Sequence, residues 1–220
     1  MATQTILSKN QQKILDALSH SDYIAHNFYW GGGTVLAEFY LRHRLSEDLD
    51  FFSEEVFDPQ AIAVFFKQHQ KELGIKKIDF QTKDNRNLFF LHLTKDIVKT
   101  EFTYFPFPRI EQKQKWNKLW VDSLLDIAVN KLFTIYMSPR SRDSIDLYCI
   151  IQKTGWTLEN LRKKAKIKFD YHIDPLQLGA KFLLATELKD YPRMVVKIKN
   201  SDWQNFFIAE AKKMKDEISK

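Results

Sequence analysis

The stretch Trp30-Gly31-Gly32-Gly33-Thr34, continued by Arg44-Leu45-Ser46-Glu47-Asp48-Leu49-Asp50-Phe51-Phe52, decides how this chain is read. It reads as a glycine turn, a short helix over residues 35–41, and a strand that carries two acids. The aromatic run Phe28-Tyr29-Trp30 ahead of it has the composition of a buried strand end. Glycines at 31–33 permit positive φ and leave no Cβ between the backbone and an approaching phosphate. Thr34 stands where it can cap the next helix, whose first amides would face an anion. In a strand, Asp48 and Asp50 at i, i+2 point to one face while Leu49 and Phe51 point into the core.

Two carboxylates side by side repel unless a cation sits between them. Hard oxygen donors of this kind suit Mg²⁺ or Mn²⁺, with substrate phosphate oxygens completing the shell. Taken alone, an Asp-x-Asp is usually a solvated strand end and a glycine turn is a common loop. A phosphate cradle, a helix and then a pair of metal-holding acids is the order that nucleotide transfer requires.

Those residues, Gly32-Gly33-Thr34 followed by Arg44-x-Ser46-x-Asp48-Leu49-Asp50-Phe51-Phe52, resemble the AbiEii/AbiGii nucleotidyltransferase toxin family. That family belongs to the DNA polymerase β-like nucleotidyltransferase superfamily. The resemblance implies a Gly-rich turn, an Asp-x-Asp strand, a third carboxylate on a later strand, and a Lys and an Asp on later helices. It spans about residues 29–148 and departs in two details: Gly31 adds a third glycine, and the third acid is a Glu.

The remaining chain is tested against that expectation. With 220 residues, it is long enough for one sizeable domain or two lobes sharing a core. One cysteine, Cys149, excludes an internal disulfide and a Cys-rich zinc site, and it reads as a small buried hydrophobe. The six histidines show no metal-ligand spacing. Residues 1–10 lack a charged start followed by an apolar core, and no run approaches a membrane span. A cytoplasmic protein with no membrane role is therefore expected. The formal charge of +6 favours an anionic partner such as a nucleotide or RNA, although many basic proteins bind neither.

Residues 9–21 have a helical stripe of Ile14, Leu15 and Leu18, and Asp58-Pro59 opens a second helix ending near Gly74. Three β-rich segments follow, at 77–82, 87–94 and 97–105, the first two joined by a turn at 83–86. Alternation in the third puts Val98, Phe102 and Tyr104 on one face and Lys99, Glu101 and Thr103 on the other. Glu101 thus stands in the right order for the third metal acid; the plainer reading is an exposed strand Glu paired with Lys99.

After Phe105-Pro106-Phe107-Pro108 the strand pattern stops and helices take over. The expected division is an α/β lobe at 1–115 and a helical C-terminal lobe at 116–220, with a small mixed sheet flanked by helices in the first. Lys131 lies on an apolar helical row, where a lysine must snorkel out or meet an anion. The resemblance matches it to a lysine that contacts nucleotide phosphates. Asp143 reads as a helix N-cap, and Asp146 either as the partner of Lys131 or Arg142 or as a direct catalytic group. The basic run Arg162-Lys163-Lys164-Ala165-Lys166-Ile167-Lys168 reads as a solvated helix face or, less often, a nucleic-acid footprint.

Together these readings imply a nucleotidyltransferase moving NMP from an NTP to an acceptor. Asp48, Asp50 and Glu101 would hold Mg²⁺ or Mn²⁺, and Gly32, Gly33, Thr34, Arg44, Ser46 and Lys131 would bind the nucleotide. The family adds a tRNA acceptor and a cognate antitoxin as partners. The alternatives are a non-catalytic RNA- or protein-binding module on this fold and a metal-dependent phosphohydrolase.

Overall fold

The structure, a computed structural model, describes residues 5–111 and 114–218. It divides into two compact units, one holding residues up to Tyr40 with Ser46–Ser123, the other Leu41–Leu45 with Leu124 onward. The boundary expected at 115/116 falls inside a strand hairpin of the first unit, which ends after Ser123.

The first unit begins with α1 (Lys9–His20) and α2 (Asp22–Asn27). Ser8 and Gln11 form a capping box at the start of α1, satisfying amides that the helix cannot pair itself. The strands are β1 (Tyr29–Gly31), β2 (Leu49–Ser53), β3 (Lys77–Lys83), β4 (Arg86–His92), β5 (Ile97–Tyr104), β6 (Gln114–Trp116) and β7 (Leu119–Val121). Between them run α3 (Gly32–Val35), a π-helical turn at Leu36–Leu41, α4 (Pro59–Gln68) and α5 (Gln70–Leu73). Asp58 caps α4 with Pro59 at its first position, as the sequence predicts, and Gly74 ends α5 at φ 74°.

Seven strands form one mixed sheet in the order β3-β4-β5-β2-β1-β7-β6. The β2–β5 and β1–β7 pairs are parallel and the others antiparallel. One sheet face carries the core: Phe51, Phe66, Phe89 and Phe102 are fully buried, with Ile14, Leu15 and Leu18 of α1. Phe51 and Phe102 stack at 4.9 Å, and Phe28 meets Phe102 edge-on at 5.1 Å. The opposite face carries Asp50 and Phe52, alternate residues of β2.

The second unit is helical: α6 (Leu124–Met137), α7 (Ser141–Thr154), α8 (Leu158–Phe169), α9 (Pro175–Leu183), a 3₁₀ turn at Leu184–Thr186, and α10 (Asn200–Ile218). Its core includes Leu132, Ile145, Leu147, Ile150, Leu161, Phe182, Trp203 and Phe207. The segment 41–45 joins this unit by main-chain pairing. Leu45 N–H donates to the Arg193 carbonyl at 2.8 Å, and Val195 N–H donates to that of His43 at 2.8 Å. No helix among the described residues is long and apolar enough to cross a membrane.

Candidate active site

Asp48 and Asp50 lie at the start of β2, and Leu49 and Phe51 between and beyond them are fully buried, as alternation requires. β2 pairs in parallel with β5 so that Asp50 stands directly opposite Glu101. On its other side Asp50 stands opposite Gly31 of β1. Asp50 and Glu101 are thereby set side by side on adjacent strands, with Asp48 just ahead of β2.

The glycine turn packs against them. Gly32 has φ 73°, and a Cβ there would lie 2.3 Å from Asp50 Oδ2. Only a glycine leaves room for that carboxylate and adopts that backbone without strain. Thr34 is fully buried and donates its hydroxyl to the Asp48 carbonyl oxygen, so it ties the turn to the acid strand; the helix cap position belongs to Gly31. The expected capping role of Thr34 is thus replaced by a link between the two motifs. The helix expected over 35–41 is instead α3 followed by the π-helical turn. Ser46 is half-buried, and its carbonyl accepts from Gln11 Nε2 at 3.0 Å.

Two cations balance the acids. Arg86, the first residue of β4, grips Glu101 with Nε to Oε1 at 2.6 Å and a second nitrogen to Oε2 at 2.5 Å. Lys99 Nζ lies 2.8 Å from Asp48 Oδ2 and 3.7 Å from Glu101 Oε2. Glu101 is therefore no plain exposed strand residue: it is 6% exposed and also accepts from the Thr103 hydroxyl at 3.0 Å. Burial pushes its carboxyl up, but Arg86, the Thr103 hydroxyl and Lys99 together hold it below the usual glutamate range. The raised pKa of Arg86 comes first from its bond to Glu101, with the charges of Asp50 and Asp48 adding to it. Arg86 was missed in the sequence because its role depends on strand register. It sits opposite Thr103, one diagonal step from Glu101.

The donor set fits a divalent cation in its chemistry: hard carboxylate oxygens on adjacent strands, with a glycine opening space beside Asp50. Glu101 and Asp48 are turned to Arg86 and Lys99, and among the described residues no three His, Cys, Asp or Glu side chains converge as a metal site.

The second unit holds the other predicted residues. Arg44 is 5% exposed and grips Asp146, with Nε to Oδ1 at 2.7 Å and a second nitrogen to Oδ2 at 2.8 Å. His43 Nε2 lies 2.7 Å from Asp146 Oδ1. Lys131 Nζ lies 2.8 Å from Asp146 Oδ2 and donates to Asp143 Oδ1 at 2.6 Å. Asp143 also accepts from Arg140 Nε at 2.6 Å; the cap position of α7 is Arg140, so Asp143 is an ion-pair partner and not the expected N-cap.

Burial raises the Asp146 carboxyl, yet Lys131 and Arg44 hold it well below its ordinary value. Burial lowers Lys131, but Asp146 and Asp143 carry it above the usual lysine value, so it stays charged. Cys149 is half-buried, and its thiol is pushed up to about 12 by burial, which removes it as a nucleophile. In the basic run, Lys168 departs from the solvated-face reading: it is buried and donates to Asp126 Oδ1 at 2.7 Å.

The chain is similar to known proteins in sequence and in fold. Residues 13–214 match the model of the family described as nucleotidyl transferase AbiEii toxin, type IV TA system. The chain is 34% identical over 167 residues to the uncharacterized protein aq_aa25 of Aquifex aeolicus strain VF5, covering 74% of this chain and 76% of that one. In fold it is similar to JHP933 from Helicobacter pylori, with TM-score 0.58, 17% identity, and coverage of 97% and 95% of the two chains. It is likewise similar to a candidate nucleotidyltransferase from Helicobacter pylori, with TM-score 0.59, 17% identity, and coverage of 97% and 98%. The family match spans both units, and with it the chain belongs to the AbiEii nucleotidyltransferase toxin family.

Proposed function

We propose that this nucleotidyltransferase moves a nucleoside monophosphate from an NTP to an RNA acceptor, tRNA included, with Mg²⁺ or Mn²⁺ held by Asp48, Asp50 and Glu101. The observation that carries the reading is the register of β2 and β5, which sets Asp50 opposite Glu101 beside a glycine at φ 73°. A divalent ion there would supply charge for the phosphoryl oxygens and lower the pKa of the acceptor hydroxyl.

The chain's own residues do the positioning. Amides of Gly32 and Gly33 bind phosphate oxygens, while the Thr34 bond to the Asp48 carbonyl keeps the turn and the acid strand in register. Arg86 and Lys99 neutralise the acids in the absence of ligand, so that repulsion among them does not cost stability. In the second unit, Lys131 is held as a charged ammonium by Asp146 and Asp143. Arg44, through its grip on Asp146, belongs to that support. Membership of a type IV toxin–antitoxin family supports a toxin role with an antitoxin as its partner.

The test is incubation of the purified protein with Mg²⁺, each labelled NTP in turn, and total RNA. Label joined to RNA supports transfer. Release of labelled inorganic phosphate from γ-labelled NTP, without transfer, would assign a phosphohydrolase instead. Binding with no turnover would leave a non-catalytic module.

A further inference from the structure

The acids of the first unit are held by two cations of unequal freedom. Asp48, Asp50 and Glu101 face Arg86 and Lys99, so these five groups carry one negative charge in excess. Both Glu101 oxygens receive Arg86 N–H groups, at 2.6 and 2.5 Å, and Oε1 also accepts from the Thr103 hydroxyl at 3.0 Å. A divalent ion seeking those oxygens meets the guanidinium at close range, where like charges repel. One of the two must give way.

The exposed partner is the one that can move. The Glu101 side chain is 8% exposed and that of Arg86 43%. Glu101 keeps its bond to Thr103 when the arginine leaves. Arg86 opens β4 just after the Asp84-Asn85 turn, and its backbone is held by pairing with Thr103 on β5. The next residue, Asn87, is buried and donates Nδ2 to the Phe102 carbonyl at 3.3 Å, so the strand stays fixed while the Arg86 side chain swings. Lys99 has less freedom: it is 23% exposed and reaches both Asp48 and Glu101.

We propose that Arg86 is a catalytic residue that changes partner: it holds Glu101 while the site is free of ligand, and grips a phosphate of the incoming NTP once a divalent ion takes Glu101. The proposal rests on the transferase reading, to which it adds a substrate-binding arginine. A guanidinium offers two parallel N–H donors that match carboxylate and phosphate alike, so one side chain can serve both. Oxygens bound side by side to one octahedral ion lie about 3 Å apart. A phosphate oxygen sharing an ion with Glu101 is thus a short swing from the arginine's present seat. Charge runs the same way. A divalent ion turns the excess of one negative charge into one positive, and the phosphates then arrive at a site that attracts them.

The test reads binding and not turnover, on the full chain. The probes are Mn²⁺ alone, followed by electron paramagnetic resonance of the free ion, and the α,β-methylene analogues of the four NTPs, which cannot give up NMP. The analogue bound most tightly by the native protein is carried forward. Arg86→Gln should bind Mn²⁺ alone about 2- to 10-fold more tightly, because Glu101 loses its competitor. At saturating Mn²⁺ the same variant should bind the analogue about 10- to 150-fold more weakly, the loss expected for a charge-assisted hydrogen bond.

The opposite signs are the signature. An arginine that only neutralises the acids would tighten the ion and leave the analogue unmoved, and a merely structural one would weaken both. Either result overturns the exchange. Arg86→Lys keeps the charge without the fork and covers the case in which Arg86→Gln fails to fold. It should shift both affinities in the same directions by less, and native values for both would overturn the proposal. Transfer is assayed separately. Opposite shifts in binding with no transfer by the native protein defeat the transferase reading alone. Transfer by the native protein with unshifted binding in Arg86→Gln defeats the exchange alone.

Discussion

The acids and bases around Glu101 in the first unit and around Asp146 in the second differ in burial more than in chemistry. In the first, Asp48, Glu101, Lys99 and Arg86 form pairs whose members are up to 43% exposed. In the second, Asp146 is wholly buried, and Arg44 and Lys131 around it are 6% and 12% exposed. Water screens the first set, so its partners exchange at low cost and a ligand can compete for them. The second set has no such freedom. Removing one member strands the others in a medium that penalises unpaired charge. The comparison separates a cluster that can work by rearranging from one that holds a lysine charged and still.

The largest effect expected is on the buried side. Asp146→Asn removes the negative charge shared by His43, Arg44 and Lys131 and turns one acceptor oxygen into a donor, and should cost about 3–5 kcal/mol of stability, read as a fall in the urea midpoint. A loss under about 1 kcal/mol would break the contrast between the clusters. The same cluster sets a pH limit. Because the folded Asp146 carboxyl lies well below its ordinary value, it binds protons less tightly than in the unfolded chain. Its contribution is complete above the unfolded value of about 3.9 and is lost as pH falls toward the folded one. Lys131, raised when folded, gives a contribution complete below about pH 10.4 and lost as pH rises through its higher folded value. Asp146→Asn should therefore flatten the acid limb of a stability–pH curve.

Next in size is the effect on chemistry. Asp48→Asn and Asp50→Asn should each reduce nucleotide transfer to below about 1% of native, equivalent to at least about 2.7 kcal/mol of barrier. Near-native transfer in either would remove the acids from the reaction. Their stability should change by no more than about 1 kcal/mol, since the Asp48–Lys99 pair is part-exposed. Lys99→Gln sharpens this further: a loss of about 0.2–1 kcal/mol that shrinks in high salt, checked by denaturation at two ionic strengths. The smallest effect belongs to Lys166→Gln on the exposed side of α8, within about 0.5 kcal/mol of native. Its neighbour Lys168, paired with Asp126 at full burial, should behave like Asp146 when replaced by Gln.

The sequence already showed the α/β character, the Gly turn, the Asp-x-Asp strand and the helical second half. These rest on local signals: Gly and Pro punctuation, period-2 alternation in β2, β4 and β5, and apolar stripes at helical spacing. The short elements escaped it. β6 and β7 have three residues each, too few to show a period, and they are strands because the sheet edge at β1 and the β6–β7 hairpin supply their hydrogen bonds. The π-helical turn at Leu36–Leu41 likewise has no periodic signature distinct from an α-helix.

The site divides along the same line. Residue types and spacing alone determined that Asp48 and Asp50 share a face and that Gly32 precedes them, because both facts follow from backbone geometry within a few residues. What the acids touch was decided only by tertiary structure. Arg86 meets Glu101 across 15 residues, and Arg44 meets Asp146 across 102. A side chain's partner across a sheet depends on register, and a single-residue slip of β4 would send Arg86 to the face away from Glu101.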